Sequence, residues 1–161
     1  MCHGRADWRL RARPRGGDWL EDEIQNWRRE GIATVFSLLT PEEEADLDIA
    51  GEAATVGAAG MRFLSLPIAD RQVPDSEPRF AEALLDLEVE LRAGRNVVLH
   101  CRQGIGRTGL VAACLLVMNG MDAGEVVRRL SAARGVPVPE TAEQRQWIDR
   151  YARTSMAAHH G

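Results

Sequence analysis

The chain has 161 residues, a net charge of −4 and an apolar fraction of 45%. This is enough chain for one domain with its own core, and the acidic balance gives no reason to expect a nucleic-acid partner or an anionic membrane. Three cysteines make no disulfide framework, and the longest apolar run, 110–118, is too short to span a bilayer.

Residues 1–17 read as an arginine-rich arm. Trp8, Leu10 and Ala12 alternate with Arg9, Arg11 and Arg13, which suits a short edge strand; a solvated arm is the simpler alternative. A basic lip that steers a phosphorylated ligand is a third. The arm has no apolar core, so no signal peptide is expected.

The domain itself is expected over 18–153, followed by a short tail, 154–161. Asp18 opens the first helix, with Glu21 at capping-box spacing and Gly31 placed as a terminator. Leu20, Ile24 and Trp27 form its apolar stripe. Ile32 to Leu39 reads as a buried strand. Thr40-Pro41-Glu42-Glu43 is a helix start: cap, proline at the first position, glutamate at the third. That helix carries Glu42, Glu43, Glu44, Asp46 and Asp48, a run read as a solvated face. Met61 to Leu66 is the next strand. The loop 67–75 follows, with Asp70 and Asp75.

Ser76 begins a long helix with Phe80, Leu84, Leu87 and Leu91 on one face, ending at Gly94. A strand, 96–99, enters the loop 100–109, and 110–118 reads as a buried helix. Asp122 with Glu125 caps a further helix, to about Arg134. Gly135-Val136-Pro137-Val138-Pro139 is a stiff connector. Thr141 opens a last helix containing Trp147, Ile148 and Tyr151. Strands alternating with helices imply an α/β fold: a central, mostly parallel sheet with helices on both faces.

The chemistry concentrates in His100-Cys101-Arg102-Gln103-Gly104-Ile105-Gly106-Arg107-Thr108-Gly109. A loop entering a helix N-terminus offers backbone N–H groups with no intrahelical partner, and with the helix dipole they form an anion site. Gly104 and Gly106 let the backbone curl close to the anion. Arg102, Gln103 and Ile105 add amides to the cradle. The guanidinium fork of Arg107 can hold two phosphate oxygens at once. The same positive field favours the Cys101 thiolate, and a thiolate beneath a bound phosphate is a nucleophile aimed at phosphorus. Thr108 can donate its hydroxyl to the Cys101 sulfur. His100 is expected to position the loop by bonding nearby backbone. Cys114, in the apolar run, reads as core. No cluster of metal-ligand spacing accompanies the loop, so neither metal nor cofactor is expected.

This loop resembles the His-Cys-x-x-Gly-x-Gly-Arg-Ser/Thr-Gly signature of protein tyrosine and dual-specificity phosphatases. The Pro67-Ile68-Ala69-Asp70 stretch, 31 residues before the cysteine, is similar to that of the kinase-associated and atypical dual-specificity branch. The resemblance implies the compact fold of that family. It implies hydrolysis of phosphotyrosine or phosphoserine/threonine in proteins through a cysteinyl-phosphate. Asp70 would be the general acid, and Gln144, in Thr141-Ala142-Glu143-Gln144, would orient the hydrolytic water. Thr141 with Gln144 also has capping-box spacing, and Asp75 and Ser76 read as helix caps.

The chain has no Lys, and its one Tyr is Tyr151. The substrate-stacking tyrosine loop of the tyrosine-specific enzymes is therefore missing, which favours a shallower pocket. The phosphoinositide branch has lysines where this chain has Arg102 and Ile105, so a phosphoinositide or other small phosphate ester is the alternative substrate. A non-catalytic phosphate-binding module is the alternative class. A monomeric, cytoplasmic enzyme acting on a phosphorylated protein is expected, since a free nucleophilic thiol needs a reducing compartment.

Overall fold

The computed structural model describes residues 18–102 and 105–159. The arginine-rich arm, the side chains of Asp18, Trp19 and His159, and Gln103 and Gly104 of the signature loop lie outside the described residues.

Chain alternation in the first strand divides the interior. In β1 (Ile32–Ser37), Val35 and Phe36 point to opposite sides of the sheet and are both buried, as period-two geometry requires. Val35 joins Leu20 and Ile24 of α1 (Asp18–Arg29), Ile49, and Val56 of α3 (Glu52–Ala58) in one core. Phe36 joins the larger core with Phe80, Leu84 and Leu87 of α4 (Glu77–Arg92) and Leu110, Val111 and Cys114 of α5 (Gly106–Met118). Val126 of α6 (Ala123–Arg134) and Trp147 and Ile148 of α7 (Ala142–His159) complete it. Each fully buried aliphatic or aromatic side chain adds roughly 1.5–3 kcal/mol of transfer free energy. Cys114 is fully buried, and burial pushes its thiol well above the ordinary range, as expected of a core cysteine.

β1 pairs in parallel with β2 (Arg62–Ser65) on one side and β3 (Asn96–His100) on the other, in the order β2-β1-β3. Every pairing among the described strands is parallel, and helices cover both faces. The ladder continues past the strand ends: Leu66 N donates to Ser37 O, Ile68 N to Leu38 O, and Leu38 N to His100 O. The three segments leaving the carboxyl edge are thereby stitched together, at the edge where open α/β sheets place their ligands.

Helix boundaries follow the capping chemistry. Thr40 and Glu43 form a reciprocal capping box on α2 (Pro41–Asp46). Ser76 accepts from Arg79 N, and Asp122 from Glu125 N. The helix begun at Thr40 is only six residues long, and α3, unmarked by any strong cap, follows it. On α4 the buried stripe ends on Glu90, with Leu91 only half-buried. The segment from 154 expected as a tail continues α7 to His159.

Candidate active site

Each strand of the sheet delivers one part of the site at its carboxyl end. β3 runs into Cys101, which is 6% exposed. The loop after β2 carries Ile68 and Asp70. The segment after β1 leads to α2 and Glu43. Ile105 is the N-cap of α5, and Gly106, Arg107 and Thr108 are its first three residues, all buried. The described residues of the signature therefore lie at a strand end and a helix N-terminus, as the sequence predicts.

Two glycines are required by close approach. A Cβ at Gly109 would stand 2.3 Å from Val138 Cγ1, so Val138 of the α6–α7 connector would have to shift away from α5. A Cβ at Gly106 would stand 2.9 Å from Gln144 Oε1 and 3.0 Å from Glu140 Oε2. The glycines thus admit the connector and the start of α7 to the site.

The thiol and the guanidinium have specific partners. Thr108 Oγ1 donates to Cys101 Sγ at 2.9 Å, which is the contact the sequence predicts. Arg107 is 2% exposed. Its two terminal nitrogens grip Glu43 in a bidentate pair, 2.6 Å to Oε2 and 2.8 Å to Oε1. One of them also donates to Ile68 O at 2.7 Å, and the other lies 3.3 Å from Asp70 Oδ1. Burial works against the charge of Arg107, but the Glu43 hydrogen bonds and the negative charges of Cys101, Glu43 and Asp70 hold its pKa above the ordinary value. Burial likewise pushes the Glu43 carboxyl up. The hydrogen bonds from Arg107 and the Thr40 backbone, with the Arg107 charge, overcome it and leave Glu43 below the usual carboxylate range.

Glu43 corrects the reading of the acidic run as a solvated face: it is buried and 8% exposed. Its capping-box position turns the side chain back over Thr40 N, which it accepts at 3.0 Å, and so toward the carboxyl edge. Burying a carboxylate is unfavourable in isolation, and the bidentate arginine offsets that penalty. Spacing along the chain carries no signal of a partner 64 residues away; only the third-position glutamate of the cap marks the residue.

His100 is a second correction. Among the described residues its ring faces a carboxylate and not backbone: Nε2 lies 2.8 Å from Glu52 Oε1, with both side chains buried. Trp27 stands against the ring at 6.2 Å between centroids. Adjacent strand residues point to opposite faces, so His100 turns toward α1 and α3 while Cys101 turns toward the larger core.

Asp70 is exposed, in a loop held over the site. Asp75 is also exposed, and Ser76 is the cap of α4. Gln144 is fully buried. Its Oε1 accepts from Glu140 N and Thr141 N, each at 3.2 Å, its backbone N–H donates to Thr141 Oγ1, and its Nε2 donates to Gln72 O at 3.1 Å. The capping box is therefore formed, and the same side chain reaches the Asp70 loop. Arg102 is exposed at the mouth and Ile105 is half-buried.

Comparison with known proteins shows the family. A family described as "Polymorphic toxin system, DSP-PTPase phosphatase" matches residues 11–121. The chain belongs to this dual-specificity and tyrosine phosphatase family. A curated relative, cyclin-dependent kinase inhibitor 3 of Sus scrofa, is 33% identical over 142 residues, covering 87% of this chain and 66% of the relative. The chain thus spans about two thirds of the length of that relative. Among solved structures, kinase associated phosphatase superposes with a TM-score of 0.79 at 24% identity, over 85% of this chain and 78% of the other. PTPMT1 in complex with PI(5)P gives 0.75 at 16% identity, over 86% and 88%. The last two similarities establish the phosphatase fold.

Proposed function

We propose that this phosphatase hydrolyses phosphomonoesters on tyrosine or serine/threonine side chains of proteins, through a cysteinyl-phosphate at Cys101. The observation that carries the reading is the meeting of Asp70, from the loop after β2, with the signature segment. The Cys101 sulfur accepts the Thr108 hydroxyl, Arg107 lies in the first turn of α5, and Asp70 lies 3.3 Å from its guanidinium. A phosphate seated on the loop amides places its phosphorus over the sulfur, with Arg107 on its equatorial oxygens.

In the first step the thiolate attacks phosphorus and the phosphorus–oxygen bond to the leaving group breaks. Asp70 gives its proton to the departing oxygen. In the second, the Asp70 carboxylate takes a proton from water, which attacks phosphorus and expels the thiolate. Thr108 stabilises that thiolate through its hydroxyl. Gln144, beside Gly106, is the residue assigned to orient the water.

Two variants test the reading. Cys101→Ser should abolish hydrolysis and keep phosphate-ester binding, measured by turnover and by calorimetry with a phosphopeptide; ordinary turnover would sink the mechanism. Asp70→Asn should slow phosphotyrosyl and phosphoseryl peptides by roughly a hundredfold or more. It should slow an activated nitrophenyl ester much less in the first turnover, because a stable leaving anion needs no proton. Asp75→Asn is the control, and the reverse pattern would move the acid to Asp75. A panel of phosphopeptides against phosphoinositides separates the protein reading from the lipid one. Turnover of neither, with binding retained, would mark a binding module.

A further inference from the structure

The loop that carries Asp70 is joined to the α6–α7 connector by side chains outside the reaction just described. Arg71 donates to Glu140 Oε1 at 2.7 Å. The other carboxylate oxygen of Glu140 stands 3.0 Å from where a Gly106 Cβ would lie. One carboxylate therefore spans from the residue after Asp70 to the first residue of α5. Arg71 holds φ at +63°, a left-handed conformation disfavoured for any residue with a Cβ. Gln72 N closes the turn by donating to Ala69 O at 3.0 Å. The turn gives neighbouring side chains different partners: Asp70 reaches Arg107, and Arg71 reaches Glu140. Gln72 adds a backbone tie to Gln144.

We propose that Arg71 and Glu140 form a latch that positions the Asp70 loop over the phosphate cradle. The proposal rests on Asp70 as the proton donor. Both are positioning residues, since neither is placed to touch the reacting atoms. Their side chains are 60% and 27% exposed, so the pair adds little to global stability. It acts on the local equilibrium between a held and a released loop, where even a weak restraint changes the fraction of molecules ready to donate a proton.

The test uses the full chain and the variants Glu140→Gln, Arg71→Asn and the double variant. Asparagine tolerates the left-handed backbone, so Arg71→Asn removes the ion pair without a new conformational cost. Amide hydrogen exchange across 67–75 should rise in every variant. First-turnover rates on phenyl phosphate should fall about three- to fivefold, the scale of one partly exposed ion pair. Rates on nitrophenyl phosphate should stay within about a factor of two of the parent, because that leaving group needs little proton transfer. The double variant should lose no more than either single one. High salt should bring the parent to the level of the variants.

Unchanged exchange in 67–75 overturns the latch. So do equal losses on both esters, which would indicate a damaged cradle, or additive losses in the double variant. Asp70→Asn run in parallel keeps the two readings apart. If it shows no dependence on the leaving group, the proton-donor assignment fails, and hydrogen exchange alone still decides whether the pair holds the loop.

Discussion

The two ends of the same parallel sheet each bury a glutamate against arginine, and they use the pair differently. At the amino end, Glu90 of α4 accepts from Thr34 of β1 at 2.6 Å, from Arg95 before β3 at 2.7 and 3.0 Å, and from Arg62 of β2. The carboxylate is inaccessible, but both arginines reach it from the surface, 58% and 42% exposed. Every lone pair has a donor, and the cluster ties all three strands to α4. At the carboxyl end, Glu43 meets Arg107, which is itself buried. That arginine also donates to Ile68 O and stands near Asp70. A charge-saturated cluster fastens the sheet. On the proposed function, a buried pair at the carboxyl end would hold the phosphate-binding guanidinium in place before the ligand arrives.

The largest expected effect lies at the second pair. Arg107→Lys keeps the charge and loses the fork, so Glu43 and a phosphate can no longer be held together. Steady-state kinetics should show kcat/KM down by orders of magnitude. Near-normal kinetics would remove the reason for separating the two ends. Glu43→Gln comes next. It leaves Arg107 buried without its carboxylate, which should cost about 3–5 kcal/mol in denaturant unfolding. It should also lower kcat roughly ten- to a hundredfold as the guanidinium loses its orientation. A loss of stability with unchanged kcat would make Glu43 a second sheet fastener.

Glu90→Gln is the smaller, opposite case. It should cost about 2 kcal/mol by losing charge-assisted hydrogen bonds, with kcat unchanged. Both depressed carboxylates, Glu43 and Glu90, make the fold acid-sensitive, and the amino end carries the larger share. The Arg95 and Thr34 hydrogen bonds, against burial, hold Glu90 down to about 2. A carboxylate depressed on folding contributes stability that is fully present above its unfolded value. That stability is lost as pH falls toward the folded value. Unfolding midpoints should therefore drop between about pH 4.5 and 2, and Glu90→Gln should flatten that drop. An unaltered acid profile in the variant would place the sensitivity elsewhere.

Legibility in the sequence tracks the distance over which each interaction is made. The signature loop, the alternation of strand and helix, and the caps at Thr40, Ser76, Asp122 and Thr141 are contacts within a few residues. Composition and spacing therefore specify them. The Thr108–Cys101 bond belongs to this class, since its partners lie seven residues apart across one turn. The burial of Glu43, Glu52 and Glu90 does not. A glutamate amid other acids reads as solvated because nothing local distinguishes a carboxylate that meets water from one that meets a guanidinium or an imidazole. Only the parallel stacking of β2, β1 and β3 brings the segments after each strand to one edge. There Glu43 finds Arg107, and Arg71 finds Glu140, 69 residues on. The sequence by itself determined the signature loop and the class of fold around it. Which carboxylates are held inside, and which arginine each one holds, was decided by tertiary structure, because the penalty for burying a charge depends on what is waiting there.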